Sequence, residues 1–169
     1  NGDGPAEGLT CNGTPLEFVY IQSSLQAAYF FTNVTLNGIL IDSEDWVGAF
    51  NDDICVGSHQ WDTSLCNSDV CDVTLMGDGG SGYTTGYMMP GDIPSFKIFD
   101  ASENTYYYAE ASEDIPWENI ALNVIDNLNV DFDFDNDGVG DDEDLDPGDN
   151  FVCADTDQDG CDDCSQSGF

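Results

Sequence analysis

The sequence predicts an all-β fold, an antiparallel β-sandwich that is followed by an irregular acidic segment. Apolar residues in the middle of the chain recur mostly at every second position, which is typical of strands with one buried face. Gly and Asn turn signals separate these runs. Near residue 130 the aliphatic pattern stops, and residues 131–163 contain 15 of the 35 acidic residues. We therefore predict an irregular lead-in at 1–15, a β-sandwich domain at 16–130 and a separate acidic segment at 131–169.

The first elements of the β domain are predicted from alternation and from one turn. Leu16, Phe18 and Tyr20 alternate with other residues and predict a strand. In "YFFTNVTLNGILI" the pair Asn37-Gly38 separates two apolar runs. Asn-Gly is the strongest short hairpin signal, because a type I′ turn needs positive φ at both central residues. This segment therefore predicts a hairpin.

Two further hairpins follow. "WVGAF" and "ICVGSHQW" flank residues 51–53, and "SFKIFD" and "TYYYAEA" flank residues 101–104. Between them, residues 76–94 are so rich in glycine that we expect a long loop or a pair of distorted edge strands.

The last segment, "NIALNVIDNLNV", allows two interpretations. Alternation favours a strand with one apolar face, formed by Ile120, Leu122, Val124, Leu128 and Val130. A helical face and an opening proline at 116 would favour a helix; we prefer the strand. Eight or nine short strands with such turns predict a sandwich of the Ig-like or jelly-roll kind.

Charge excludes several kinds of partner. The chain has 35 acidic residues against one lysine, a formal charge of −34. Nucleic acid and anionic lipid both need cationic contacts, so we expect neither as a partner. The chain contains no apolar run of the length that spans a bilayer, so we expect no membrane insertion. Divalent cation binding and tolerance of high salt remain as explanations of the charge.

Seven cysteines are many for 169 residues. A zinc site needs paired Cys or His spacings, yet the one CxxC is Cys161–Cys164 and His59 is the one histidine. Disulfides in an oxidising compartment are the better explanation. Cys66 and Cys71 form the easiest local pair, and the odd count leaves one thiol free or bonded to another chain.

The acidic segment contains a loop with the spacing of a calcium site. Calcium takes six to eight oxygen ligands, which a short loop supplies from side chains at positions one, three and five and from the carbonyl of position seven. Glycine at six permits the sharp turn, and a carboxylate at twelve completes the shell. In "DFDNDGVGDDED" these positions predict calcium ligation, with Gly138 at six, by Asp133, Asp135, Asp137, Val139, Asp141 and Asp144.

The pattern returns 22 residues later. Gly160 stands at six, and the predicted ligands are Asp155, Asp157, Asp159, Cys161 through its carbonyl, Asp163 and Gln166. Because Gln166 brings a neutral oxygen where a carboxylate is expected, this site should bind calcium more weakly, or recruit Asp146 or Asp149. A solvated acidic tail is the alternative. Without metal the segment should be disordered, because its carboxylates repel one another and little apolar surface offsets the chain entropy.

Three families use such loops. An EF-hand needs flanking helices and Glu at twelve, and a dockerin needs a Leu-rich helix after each loop; neither fits "DEDLDPGDN". Residues 131–168, through "DFDNDGVGDDEDLDP" and "CADTDQDGCDDCSQSG", resemble thrombospondin type 3 repeats. This resemblance implies a string of calcium ions in an irregular segment that acts as a rigid spacer in secreted proteins. Calcium is thus the predicted cofactor.

The β domain has a weaker resemblance. "DWVGAFNDDICVG", "GYMMPGDIPSFKIFDAS" and the Tyr-rich strand are similar to a domain of secreted bacterial surface and adhesin-type proteins. The resemblance implies an extracellular or cell-surface location and little else, and we expect no enzymatic activity. Abundant carboxylates select no glycosidase pair, and His59 lacks the sequence context of a catalytic triad.

Both ends of the chain resemble interrupted aspartate loops, in "NGDGPAEGLTC" and "CDDCSQSGF". We therefore expect a non-enzymatic, calcium-rigidified structural or adhesion protein, one unit of a surface fibre or repeat array. Its partners would be copies of itself, head to tail, or other surface proteins. The alternative is a carbohydrate-binding module, in which Trp46, Trp61, Trp117 and Tyr106–Tyr108 could stack on sugars and the acidic segment is a spacer.

Overall fold

The computed structural model of the chain describes residues 7–66 and 68–132. Its contacts divide the chain into two units, Asn1–Val130 and Asp131–Phe169. The description below concerns the first unit. The predicted division into a lead-in, a β domain and an acidic segment stays a prediction, because almost all of the acidic segment lies outside the described residues.

The described residues form eight strands and two short 3-10 helices. The helices are Leu16–Phe18 and Thr63–Leu65. The strands are β1 Gln26–Leu36, β2 Ile39–Leu40, β3 Trp46–Asn51, β4 Ile54–Gln60, β5 Cys71–Met76, β6 Ser95–Asp100, β7 Thr105–Ala111 and β8 Leu122–Val130. The all-β prediction is confirmed.

The strands join in one mixed sheet in the order β2-β1-β8-β7-β6-β3-β4, and β5 pairs with β1. β1 pairs with β5 along Gln26–Phe31 and with β2 at its end, both antiparallel. Its other edge pairs with β8 in parallel. The expectation of purely antiparallel strands is therefore wrong at this pair, because a long connection brings β8 back in the direction of β1.

β7 makes the sheet curl. Its first five residues, 105–109, pair with β6, and its last two, Glu110 and Ala111, pair with β8. The curl brings β4 against β5 without a ladder between them: a Cβ at Gly57 would lie 2.2 Å from the Thr74 carbonyl oxygen.

The predicted turns are confirmed. Asn37 and Gly38 join β1 to β2 with φ of 48° and 77°, as a type I′ turn requires. Asp52, at φ 51°, lies in the turn from β3 to β4, and Asn104, at φ 53°, in the turn from β6 to β7. The glycine-rich stretch is a loop that contains one isolated bridge, between Gly77 and Met88.

The core has two parts on opposite faces of the sheet. The larger cluster fills the inside of the curl and includes Tyr29, Phe31, Ile98 and Trp117. The smaller one consists of Phe18, Phe50, Cys55 and Phe99. Phe18, which is 0% exposed, reaches this second cluster from outside the sheet and covers the β3 backbone at Gly48.

Two predictions about individual segments are wrong. Leu16, Phe18 and Tyr20 do not form a strand, because Pro15 precedes a 3-10 helix and the segment packs on the outer face of the sheet through Phe18. In the last segment the strand is confirmed, but Leu122 and Val124 are exposed while Ile125, Leu128 and Val130 are buried.

This burial pattern has a physical reason: partway along the β1–β8 pair, the side of each strand that faces the core switches. The ladder pairs Phe31 with Ile125 and resumes at Asn33 with Asn127, so one position on each strand is left out. Two consecutive residues are exposed on both strands there, Thr32 with Asn33 and Asp126 with Asn127. The buried face of β8 therefore changes parity between residues 125 and 128.

No helix among the described residues is long and apolar enough to cross a membrane.

Candidate functional site

The predicted calcium ligands lie outside the described residues. This holds for both loops, that is for Asp133, Asp135, Asp137, Val139, Asp141, Asp144, Asp155, Asp157, Asp159, Cys161, Asp163 and Gln166. Within residues 7–66 and 68–132, no group of three or more His, Cys, Asp or Glu side chains is arranged to hold a metal ion. The calcium prediction therefore stays a prediction.

The cysteines of the β domain divide into one disulfide and two thiols. Cys66 and Cys71 are bonded, with Cα atoms 5.1 Å apart, which confirms the predicted local pair. The bond joins the end of the second 3-10 helix to the first residue of β5. Among the described residues Cys11 is a free, exposed thiol and Cys55 a free, buried one. Burial raises the pKa of Cys55 to about 11, so this thiol stays protonated and unreactive at neutral pH.

Two of the three tryptophans are structural. Trp61 is 4% exposed and Trp117 is 1% exposed, so neither can stack on a sugar ring. The Trp117 indole N–H donates to the Leu75 carbonyl oxygen at 3.3 Å. Its ring also lies over Gly77, where an added Cβ would approach the indole to 2.4 Å. Their proposed role in carbohydrate binding is therefore wrong.

Trp46 is the tryptophan whose ring a sugar can still reach. It is half-buried at the start of β3 and lines two shallow surface cavities of about 290 and 250 Å³. Asn12 lines both cavities as well. Polar side chains complete each rim, Thr14 and Ser58 in the first and Glu44 and Gln60 in the second. An aromatic ring between hydrogen-bonding groups is an arrangement that suits a neutral polar ligand.

The tyrosine-rich strand is partly structural. The Tyr106 hydroxyl accepts from the Glu17 backbone N–H at 3.3 Å, and its ring packs on Phe99 and Phe18. The Tyr107 hydroxyl donates to the Glu103 carboxylate at 2.6 Å, which raises the pKa of Tyr107 to about 12. Tyr108 is 77% exposed.

Lys97 is held within the β domain. Its Nζ lies 2.9 Å from a Glu17 carboxylate oxygen, 4.8 Å from the centroid of the Phe50 ring and 5.0 Å from that of Tyr108. The ion pair and the ring contacts together hold the Leu16–Phe18 segment on the outer face of β3 and β6. The chain's single lysine therefore has a structural position.

His59 links β4 to β5. Its ring Nδ1 lies 2.6 Å from the Asp72 carbonyl oxygen, so Nδ1 carries the proton and donates it. The imidazole also packs edge-on against Trp61, with ring centroids 6.2 Å apart. These contacts give His59 a structural position between the two strands.

A buried carboxylate was not anticipated from the sequence. Asp45 is 5% exposed, and its two oxygens accept from the backbone N–H groups of Asp42 at 2.8 Å and of Ala101 at 2.9 Å. Desolvation raises the pKa of Asp45 despite these bonds. The carboxylate fixes two turns together; "DSED" before a strand was the signal, since Asp and Ser favour such local bonds.

Comparison with protein-family models, with curated proteins and with solved structures gives no match.

Proposed function

We propose that this chain is a non-enzymatic, calcium-rigidified structural or adhesion protein of the extracellular space or cell surface, a unit of a fibre or repeat array. One observation carries the proposal: two aspartate loops, 22 residues apart, both place Asp at one, three and five and Gly at six. In a calcium loop the side chains at positions one, three and five supply ligand oxygens, and glycine at six permits the sharp turn.

Charge supports the proposal. Residues 131–163 contain 15 acidic side chains, and the chain has one Lys or Arg. That residue, Lys97, lies in the β domain and is paired with Glu17. It therefore cannot neutralise the acidic segment, and divalent cations are the counter-charge that would let its carboxylates approach one another.

The disulfide supports a location in the extracellular space or at the cell surface. Bonds such as Cys66–Cys71 persist in oxidising compartments and are rare in the cytosol. The curl of the sheet at β7 supports a sandwich of the Ig-like or jelly-roll kind, since it folds the sheet around a common core and brings β4 beside β5. Such a domain is a suitable repeating module for an array.

Calcium titration of the full chain by calorimetry tests the proposal. We expect at least one ion per loop, with the second loop weaker because Gln166 replaces a carboxylate. Asp137→Asn and Asp159→Asn should each abolish binding at one loop, and Gln166→Glu should tighten the second. Asp114→Asn, on the β domain, is the matched control and should change nothing. An unchanged titration in the Asp137→Asn, Asp159→Asn double variant would refute the proposal.

Assembly needs its own measurement. Electron microscopy of negatively stained protein, with calcium and with EGTA, should show linear arrays in calcium alone. Monodisperse monomers under both conditions would contradict the assembly part of the proposal while leaving calcium binding intact.

Carbohydrate binding at Trp46 is the second candidate. The position of this ring between two polar-rimmed cavities favours it. A glycan array should then give a selective signal that Trp46→Ala removes and that Tyr83→Ala, an exposed ring on the glycine-rich loop, leaves unchanged. A signal insensitive to Trp46→Ala would eliminate this site.

A further inference from the structure

An apolar patch lies on the outer face of β1 and β8. Ile120 is 81% exposed, Leu122 76% and Val124 60%. In the parallel ladder, Leu122 is in register with Ala28 and Val124 with Phe30, and both partners are half-buried on this face. We call these five residues the β8 patch. Adjacent exposed apolar side chains on one sheet face mark an interaction site more often than single ones do.

The patch borders an open strand edge. The Ala28 N–H donates to the Ala121 carbonyl oxygen at 3.0 Å. Since the backbone groups of alternate residues face the same neighbour, residues 121, 123 and 125 bond toward β1, and Leu122 and Val124 point away from it. On that side β7 pairs with Leu128 and Asn129 but with no earlier residue of β8. Within the described residues, Leu122 and Val124 therefore offer their N–H and C=O groups to no strand.

The chain also accepts backbone strain at this edge. Ile120 has φ of 68°, a left-handed conformation that is rare for a β-branched residue. Its backbone N–H bonds to the Gln26 carbonyl oxygen at 2.8 Å, and its side chain is 81% exposed. A glycine or asparagine would adopt this φ with less strain, so neither burial nor turn geometry explains isoleucine here.

The acidic residues around the β8 patch determine which kind of partner can bind there. Asp126 continues β8 after the patch, Asp72 pairs with Phe30 from β5, and Glu118 precedes Ile120. A second copy of this chain would bring another formal charge of −34 to this acidic rim. A partner with Lys or Arg beside its apolar residues would instead be attracted to it.

We infer that the β8 edge binds an extended, cationic segment of another protein by strand addition. The segment's backbone pairs with Leu122 and Val124, its alternate apolar side chains extend the β8 patch, and its net positive charge is attracted by the acidic residues around the patch, Asp72, Glu118 and Asp126. Main-chain hydrogen bonds give the affinity, and the alternating side chains and positive charge of the segment give the selectivity. This site is independent of the aspartate loops.

Fluorescence anisotropy with the full chain in calcium tests the inference. The probe is a labelled peptide of about seven residues, a typical strand length, with alternating Val and Lys. We expect saturable binding that weakens as salt is raised. A Val/Glu peptide and a peptide of the same Val/Lys composition with the residues in two blocks should bind at least about tenfold more weakly. Equal binding of the blocked peptide, or no binding of the alternating one, overturns the inference.

Variants locate the site. Val124→Lys removes an apolar side chain of the patch and adds a charge that repels the cationic peptide, so it should weaken binding of the alternating peptide at least about tenfold. Leu122→Pro removes an edge N–H at the first residue of the strand, where proline is tolerated. Ile39→Lys makes the same change at an equally exposed apolar residue, 74% exposed on β2, and should leave binding intact. Urea unfolding checks that each variant is folded. Wild-type affinity in both β8 variants, or a dimer of the wild-type chain that Val124→Lys dissociates, would overturn the inference.

Discussion

The packing of Phe18 on Gly48 predicts a large effect from the addition of one methyl group. A Cβ at Gly48 would lie 2.6 Å from Phe18 Cε1, 2.7 Å from Cδ1 and 2.9 Å from Cζ. The β3 backbone cannot shift, because β4 and β6 pair with it on both sides. Phe18 is fully buried between Phe50 and Tyr106, at ring centroid distances of 5.9 and 5.3 Å. The ring would therefore have to leave its position.

We expect Gly48→Ala to destabilise the fold by about 1–3 kcal/mol, the usual cost of overpacking a filled core. With a urea m-value of about 1–3 kcal/mol/M, the midpoint of unfolding should fall by about 1 M. Gly82→Ala is the matched control, because nothing lies within 4 Å of its added Cβ. This variant should be neutral, or slightly stabilising through the unfolded state.

A double-mutant cycle makes the reasoning refutable. Phe18→Leu shortens the side chain that opposes the new methyl group, so it should be less harmful in the Gly48→Ala background than in the wild type. If the two changes add without coupling, or if Gly48→Ala costs no more than Gly82→Ala, the docking of the Leu16–Phe18 segment is not what the structure indicates.

Three further predictions concern the sulfur chemistry and the buried carboxylate. Replacing Cys66 and Cys71 together by Ser should lower the free energy of unfolding by about 2 kcal/mol, because the short closed loop no longer restricts the unfolded chain; an unchanged urea midpoint would contradict this. In the native chain an alkylating reagent should modify Cys11 quickly and Cys55 only on unfolding, because burial raises the pKa of Cys55 to about 11. Mass spectrometry measures the rate at which each thiol is modified, and equal rates would contradict the prediction. Burial raises the pKa of Asp45 above that of a free aspartate, so the folded state binds this proton more tightly than the unfolded state does. The stability that the bound proton contributes is present at low pH and is lost as the pH rises through the folded-state pKa. Urea unfolding at several pH values should therefore show the advantage of the wild type over Asp45→Asn grow as pH falls from neutral, and an advantage that shrinks would refute the assignment.

The local features of the fold could be read from the sequence, and the non-local ones could not. Asn37-Gly38 predicts its hairpin because the φ values of the turn are a property of those two residues alone. The parallel pairing of β8 with β1 depends on how a long connection returns, which no local pattern records. Phe18 was assigned to a strand for the same reason: its partner, Gly48, is distant in sequence.

The exposed end of β8 differs from the sequence prediction for another reason. Alternation identifies two faces of a strand but does not say which one is buried. The sequence predicts one apolar face for Leu122, Val124 and Leu128, whereas a phase change near Asp126 leaves the first two exposed. The same change places Ile125 and Leu128 in the core. For the calcium loops the ligand spacing is a local pattern in the sequence, and it stays a prediction because both loops lie outside the described residues.

The central claim is that calcium orders the aspartate loops, and amide hydrogen exchange tests it most directly. The full chain is exchanged in calcium and in EGTA, and peptides covering 133–166 are compared with peptides from the β domain. The account predicts strong protection of 133–166 in calcium, its loss in EGTA and in the Asp137→Asn, Asp159→Asn variant, and little change across β1–β8. Equal exchange of 133–166 in calcium and in EGTA would contradict the account.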